Sequence, residues 1–391
     1  MKILVINSGS SSIKYRLTEM PQGKVLSRGM VERIGLDGTV LHHEAGGKKI
    51  IEPLPAGGHK EALQIIAEKL ETVQGGAGIV AVGHRVVHGG SRFDSTVRIS
   101  RRVKQQIRSL FSLAPLHNPA NLTGIELAEK FFPGAVQVAV FDTAFHRDIP
   151  PVAHRYALPA EYYDKYHIRV YGFHGTSHKY VTELVRKRDP GHSGKLISIH
   201  LGNGCSMTAV LEGKSIDHSL GFGPLNGLIM GTRSGDIDPA VLLYLMERHG
   251  YSAGELSELL QKKSGLLGLT GSRDMREVEA AAIAGDDNAA LAIDMVAYRI
   301  RKYIGSYAAA MNGLDALIFT AGIGENSAMI RKASCMDMDF FGIRLDGEKN
   351  QAYRGGIDTV EAAGSKVKIW VVPTDEEYEI TRQTYALVQS Q

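Results

Sequence analysis

Several short segments of the 391-residue chain gather residues that handle phosphate. The sequence contains no Gly-x-x-x-x-Gly-Lys-Ser/Thr, and no Gly-x-Gly-x-x-Gly follows a predicted strand, so the two commonest nucleotide cradles are excluded. Instead, Asn7-Ser8-Gly9-Ser10-Ser11-Ser12 interrupts two apolar runs, and Gly202-Asn203-Gly204-Cys205-Ser206 does the same later. Successive backbone N–H groups in such turns form anion-binding concavities. Ser10, Ser12 and Lys14 fall on alternate positions, so two hydroxyls and a charge share one side of a strand. The plain alternative is a solvated hairpin with Lys14 on its wet face.

Three loops place arginine or histidine beside glycine: Gly83-His84-Arg85-Val86-Val87-His88-Gly89-Gly90, Tyr171-Gly172-Phe173-His174-Gly175-Thr176-Ser177-His178 and Gly231-Thr232-Arg233-Ser234-Gly235-Asp236-Ile237-Asp238-Pro239. Loops at strand ends are where α/β proteins hold ligands. Arg85 and Arg233 suit a clamp on a transferring phosphoryl group, and His174 suits a hydrogen-bond donor to it. Singly, each also fits a salt bridge or a satisfied loop histidine. His174 and His178 have zinc-like i, i+4 spacing but lack a His-Glu-x-x-His motif or cysteine support, which favours a structural role. Asp142, at the end of the apolar run Val138–Phe141, suits magnesium, positioning or an N-cap. Asp236 and Asp238 are expected to cap the helix that follows, and Asp375 or Glu376 to start the terminal one.

The elements that must position these residues are legible from periodicity. Ile3–Ile6 and Ile13–Leu17 predict a hairpin, and Leu196–Leu201 with Met207–Leu211 predict another. Gly9 matches Gly204 at an offset of 195 residues, half the chain, which suggests a duplicated domain rather than a solenoid. Ile79–Val82 and Ala316–Phe319 add to each half a buried strand ending in a glycine turn. Helices are predicted over 60–72 (apolar at 62, 63, 66, 67 and 70), from Asn118-Pro119, with Asn118 as cap and Pro119 at the first helical position, to Phe131, from Asp238-Pro239 to Gly250, over 286–312 and over 376–388. Strands alternating with helices imply an α/β protein. The Gly57-Gly58 and Gly75–Gly78 stretches are too short for linkers.

Composition narrows the class. Hydrophobic residues make up 43% and charged residues 22%, and the net charge of +3 argues against a nucleic-acid binder. The 44 glycines, about 11% where about 7% is usual, suggest tight turns and close backbone approaches. Two distant cysteines, Cys205 and Cys335, make neither a disulfide framework nor a metal site. With no secretory leader and no stretch of about 20 apolar residues, a soluble, reduced, cytoplasmic protein is expected, without a membrane partner.

Together these segments closely resemble the acetate kinase family, from residue 3 to the final helix. The carrying motifs are Val5–Lys14, Gly83–Gly90, Phe141-Asp142-Thr143-Ala144-Phe145-His146, Gly172–His178, His200–Gly204, Met230–Gly235 and Gly322-Ile323-Gly324-Glu325-Asn326, in that order. The resemblance implies an α/β fold of two duplicated, actin-like (ribonuclease-H-like) domains flanking a nucleotide cleft. The first would span 1–145, completed by the C-terminal helix 376–391, and the second 146–375, carrying nucleotide binding and dimerisation. It implies Mg²⁺, with Mn²⁺ as an alternative, held by Asn7 and Glu376, and ATP/ADP as co-substrate. Nucleotide contacts would fall to Lys14, to His200, Leu201, Gly202, Asn203 and Gly204, to Asp274, Met275 and Arg276, and to Gly322, Ile323, Gly324, Glu325 and Asn326. Arg85 matches the acetate-binding arginine, Asp142 the essential carboxylate, and His174 and Arg233 the transition-state stabilisers. Val87, Leu116, Phe173 and Pro224 match the apolar wall around the acetate methyl group. A homodimer is implied as well.

An ionised carboxylic acid needs no base to attack phosphorus, since its pKa is roughly 4. Asp142 is therefore expected to position magnesium or substrate rather than abstract a proton. Asp217-His218-Ser219-Leu220-Gly221-Phe222-Gly223-Pro224 departs from the family pattern at His218 and Gly223, where the family has threonine, and Asp375 replaces an asparagine. Val87 favours a small pocket, which makes propionate a slower substrate. The competing readings are a propionate or butyrate kinase, a sugar kinase, and a non-catalytic actin-like nucleotide switch. The joint presence of Arg85, Asp142, His174 and Arg233 opposes the switch.

Overall fold

The computed structural model describes residues 1–55, 57–73 and 78–390; of the Gly75–Gly78 stretch, only Gly78 lies within them. The chain divides into two compact units, unit 1 comprising Met1–Phe145 with Asp375–Gln391, and unit 2 His146–Thr374.

Unit 1 is built on an eight-stranded sheet of β1 (Lys2–Ser8), β2 (Ser12–Glu19), β3 (Lys24–Glu32), β4 (Val40–Ala45), β5 (Lys48–Pro53), β6 (Ile79–Val86), β7 (Val97–Arg98) and β8 (Val136–Phe141) in the order β5-β4-β3-β2-β1-β6-β8-β7. Ile3 to Ile6 of β1 are all buried because both faces of the sheet are covered. Leu4 and Ile6 pack with Ala62, Leu63, Ile66 and Leu70 of the His59–Thr72 helix, whereas Val5 packs with Val140 and with Ile380 of the Glu376–Gln389 helix.

Unit 2 is built on β9 (Lys195–Leu201), β10 (Cys205–Leu211), β11 (Lys214–His218), β12 (Ala316–Thr320), β13 (Asp358–Thr359) and β14 (Lys368–Val371), ordered β11-β10-β9-β12-β14-β13. The run β3-β2-β1-β6-β8 and the run β11-β10-β9-β12-β14 have the same order. In each, the first two pairings are antiparallel and the last two parallel. The echo between the two hairpins is thus the most visible part of a repeated sheet.

The helices fall close to expectation, at Asn118–Phe131, Pro239–His249, Asp287–Ala310 and Glu376–Gln389. Three details differ. Gly83 does not end its strand: β6 continues to Val86, and the glycine is there because a Cβ would stand 2.4 Å from Thr384 Oγ1 of the terminal helix. Gly322–Asn326 lies in a short helix, Ala321–Asn326, rather than in a turn. Asn118 is not a cap, and its side chain turns inward to the His88 backbone. No helix among the described residues is long and apolar enough to cross a membrane, and both cysteines are free and buried.

Candidate active site

In unit 1, Asn7, Arg85 and Asp142 stand at the carboxyl ends of the adjacent parallel strands β1, β6 and β8, where open α/β sheets hold ligands. The register sets Ile6 beside His84 and Val86 beside Phe141. Arg85 donates from Nε and Nη2 to Asp142 Oδ2 at 2.9 and 2.6 Å, and Nε lies 3.8 Å from Glu376 Oε2. Burial works against the guanidinium charge, but Asp142 and then Glu376 outweigh it and hold the Arg85 pKa above its ordinary value. Asp142 is fully buried, while the Arg85 and Glu376 side chains keep 21% and 23% exposure, so both reach solvent.

The first turn of the terminal helix adds further charge. Asp375 caps it through the Tyr378 N–H and takes Arg16 Nη1 at 2.7 Å on both oxygens. Glu377 meets Lys14 Nζ at 2.5 Å; burial would raise its pKa, yet Lys14 and Arg16 hold it below the ordinary value. Glu376 goes the other way. Burial, only partly offset by Arg85, and the like charges of Asp142 and Glu377 push its carboxyl pKa up. A crowded carboxylate with solvent access, plus the amide oxygen of Asn7 at a neighbouring strand end, is a hard-oxygen donor set. It suits Mg²⁺, which takes one or two protein oxygens and leaves the rest of its shell to water and phosphate. Among the described residues no group of three or more His, Cys, Asp or Glu could hold a metal ion.

Ser12 opens β2, and Gly9 N–H closes the hairpin on the Ser12 carbonyl at 2.8 Å, with Ser10 exposed at the tip. Lys14 pairs with Asn7 across the strands. Val87 is buried, and Leu116 is 55% exposed. Sequence reasoning missed Asn121, whose amide donates to the Ser8 carbonyl (2.7 Å) and accepts from the Val87 N–H (3.0 Å), so it ties the ends of β1 and β6 together. Its only signal was a polar residue inside an apolar stripe. His84, by contrast, is a satisfied core histidine bonded to Gln137 at 2.7 Å.

In unit 2 the β9–β10 turn is the centre. A Cβ at Gly204 would lie 3.5 Å from the His174 ring and 3.7 Å from Arg233 Nη1, so the backbone there brings the two predicted stabilisers together. Gly231 N–H bonds the Asn203 carbonyl, and a Cβ at Gly231 would clash with the Asn203 side chain; glycine is what lets the Arg233 loop reach the turn. Arg233 donates to the Pro224 carbonyl at 3.1 Å, and burial lowers its pKa. Asp238 caps the next helix as expected. Asp236 does not: it accepts from Gly227 N–H and Tyr303 Oη at 2.7 and 2.8 Å and so braces the Arg233 loop.

His174 precedes the Gly175–Arg188 helix in a left-handed conformation (φ 54°), which costs a non-glycine residue roughly 1–2 kcal/mol. Its Nδ1 lies 2.9 Å from Ser206 Oγ, and its ring stacks on His200 at 4.5 Å. His178 engages Ser206 and Ser198 through its two nitrogens at 2.8 Å each, which fills the positions a zinc ion would need. His200 Nδ1 meets Ser177 Oγ at 2.8 Å.

Gly202, Asn203, Asp274, Met275, Arg276, Gly322, Ile323 and Asn326 line one cavity of about 760 Å³, together with Arg273, Glu279 and Ser327. The last three were missed, although Arg273 adjoins an identified segment. Leu201 is buried in β9, and Gly324 packs against Phe319 and Ile199, so both support the cavity from behind. Glu325 Oε1 accepts from the Thr374 N–H at 3.1 Å. Lys14, Val87 and Leu116 belong to unit 1, and Phe173 and Pro224 to unit 2.

Comparison with known proteins gives a consistent picture. The profile of the Acetokinase family matches residues 2–382. The chain is 53% identical to the acetate kinase of Flavobacterium johnsoniae over the full length of both, and 50% identical to that of Thermotoga maritima over 100% of this chain and 99% of the relative. Among solved structures, acetate kinase from Porphyromonas gingivalis superposes with a TM-score of 0.93 at 46% identity, covering 99% of each chain. A propionate kinase from Francisella tularensis superposes with a TM-score of 0.94 at 43% identity, covering 98% of this chain and 99% of that one.

Proposed function

The chain belongs to the acetokinase family, and from that premise we propose that it moves the γ-phosphoryl group of ATP to acetate, reversibly, by direct in-line transfer. The observation that most supports this is the pair of cationic sets: Arg85, held by buried Asp142 yet open to solvent, and Arg233 with His174 around Gly204.

Acetate arrives ionised, so no base is needed. Asp142, committed to Arg85, acts as a positioner, and Arg85 Nη1 is left for the acceptor carboxylate. The transition state is loose, with charge spread over three equatorial oxygens. Arg233 and the His174 ring supply donors to that charge, and nothing in the chemistry requires a phosphoenzyme. Asn7 and Glu376 would hold Mg²⁺, which when bound neutralises charge on the β- and γ-phosphates. The 760 Å³ cavity takes the nucleotide, and buried Val87 is the residue of unit 1 assigned to the methyl group. Buried free cysteines suit a cytoplasmic setting.

Hydroxylamine trapping of acyl phosphate formed from ATP and Mg²⁺ with acetate, propionate, butyrate or glycerol tests the reading. Acetate is expected to lead. The likeness to a propionate kinase favours propionate as the alternative acceptor, and a preference for it would rename the substrate while keeping the mechanism. Nucleotide binding without acyl phosphate would leave the switch.

A homodimer through unit 2 completes the reading. The Pro239–His249 helix has no buried residue and exposes Leu243 (59%) and Tyr244 (57%), while Tyr298 of the Asp287–Ala310 helix is 59% exposed. Light scattering is expected to report twice the 42.5 kDa chain mass and Leu243→Glu to halve it; a monomeric wild type would refute the dimer.

A further inference from the structure

The carbonyl oxygen of Phe173 collects two imidazole N–H groups, His146 Nε2 at 2.9 Å and His218 Nε2 at 2.8 Å. A carbonyl only accepts, so both rings carry a proton on Nε2; the Phe173 N–H approaches His218 Nε2 at 3.4 Å, too far to compete with the 2.8 Å bond to the carbonyl. The other nitrogens agree: His218 Nδ1 accepts from the Leu220 N–H at 2.9 Å, and His146 Nδ1 lies 2.8 Å from the Ser215 hydroxyl. Each ring is therefore held at both ends, and the two meet edge-on with centroids 4.2 Å apart. Both are buried. Burial brings His146 down to about 3 and His218 well below its ordinary value, so they stay neutral donors at physiological pH.

The clamped carbonyl belongs to the peptide that leads into His174, the residue forced to φ 54°. Orienting that peptide plane sets the direction in which the His174 ring leaves the chain toward Ser206 and the Gly204 turn. We propose that His218 is a positioning residue for the transfer step: by donating to the Phe173 carbonyl, it holds His174 in the left-handed conformation that aims its ring at the phosphoryl group. The proposal rests on the transfer role assigned to His174 above.

Steady-state kinetics on the full-length protein carrying His218→Leu, His218→Gln, His174→Ala and the His218→Leu/His174→Ala pair separate this from plain core packing. His218→Leu is expected to lower kcat about tenfold with the KM for ATP within about twofold. His218→Gln, which returns a donor near the Nε2 position, is expected to restore most of it. In the His174→Ala background the leucine should cost less than about twofold more. Equal losses for leucine and glutamine, or a full tenfold further loss without His174, would overturn the proposal. If His218→Leu does not fold, His218→Asn, with its shorter amide, takes its place against glutamine. A readout independent of turnover accompanies these: the His174 ring NMR resonances should move in the leucine or asparagine variant and return with glutamine. Unmoved resonances refute the clamp even if the wild type forms no acyl phosphate, an outcome that would separately refute the kinase reading.

Discussion

The two units raise the same strand framework and furnish its ends differently. At the ends of β1, β6 and β8, unit 1 sets full charges in pairs, Arg85 with Asp142 and Lys14 with Glu377, around the crowded carboxylate of Glu376. In unit 2, His174, His178, His200 and Ser206 gather near the end of β9 as neighbouring rings and hydroxyls, and Arg233 approaches the turn. The contrast follows from what each arrangement can hold. Paired charges can exchange a partner for an arriving anion or cation at modest cost when one member reaches solvent. A buried charge without a partner costs several kcal/mol, so a dry scaffold that orients one donor has to be built from neutral dipoles. On the proposed reading, unit 1 binds ions and unit 2 aims hydrogen-bond donors.

The most severe way to break this contrast is to remove the cation that approaches the β9–β10 turn of unit 2. Arg233→Ala is expected to lower kcat by about 10²–10³, the usual loss for one transition-state donor, with little change in the KM for ATP. Normal turnover would exclude Arg233 from the transfer step. Arg85→Ala is the counterpart in unit 1 and should appear first in acceptor binding, with the acetate KM rising by roughly 10–100-fold and the ATP KM nearly unchanged, a loss of about 1.4–2.8 kcal/mol. An unaltered acetate KM would remove the carboxylate-binding role. Asp142 stays buried and loses both guanidinium hydrogen bonds in that variant, so a lower melting temperature is expected alongside.

Acid tests the buried imidazoles of both units without mutation. Burial lowers His84 and His88 of unit 1 to about 4, and in unit 2 lowers His146 to about 3 and His178 and His218 well below 6.5. These groups are neutral when folded and bind protons when unfolded. Their contribution to stability is therefore complete above pH 6.5, the unfolded value, and is lost as pH falls from there toward the folded values. The slope is about 1.4 kcal/mol per pH unit for each imidazole. Glu377, held below 4.5, loses its contribution only under that pH, whereas Asp217 of unit 2, which burial raises to about 6, takes up a proton in the folded state and works against the rings below that pH. Hydrogen exchange at pH 7.5 and pH 5 should show protection falling around the buried imidazoles of both units. Equal protection at the two pH values would mean that the rings are charged in the folded state.

The comparison also explains what was legible in the sequence. The hairpins, the helix over 59–72 with its five buried positions and the arginine-bearing loops carry local signals: alternation, a 3.6-residue stripe, glycine at a turn. The neutral scaffold does not. His146, His178 and His218 come from three distant segments and meet only because β9, β10 and β11 pair, and a lone histidine reads as core whichever role it has. Gly83 was misread as a strand end for a similar reason, since the helix that demands a glycine there begins almost 300 residues later. Asp236 reads as a cap in the sequence because the tyrosine that claims it lies on another helix.

The smallest effect sharpens the contrast from the acceptor side. Val87 is buried beside Arg85, and its N–H is held by Asn121, so its backbone stays in place when the side chain is shortened. Val87→Ala removes two methyl groups and opens room for one more methylene on the acceptor. One methylene is worth about 1–3 kcal/mol of discrimination, so kcat/KM for propionate relative to acetate should rise by roughly tenfold, while the ATP KM, assigned by the proposal to the cavity in unit 2, should stay unchanged. An unchanged acid preference would take Val87 out of the methyl wall and leave chain length to Phe173 and Pro224. Acceptor selection would then belong to the unit that otherwise orients donors, and the division of labour drawn above would fail at that point.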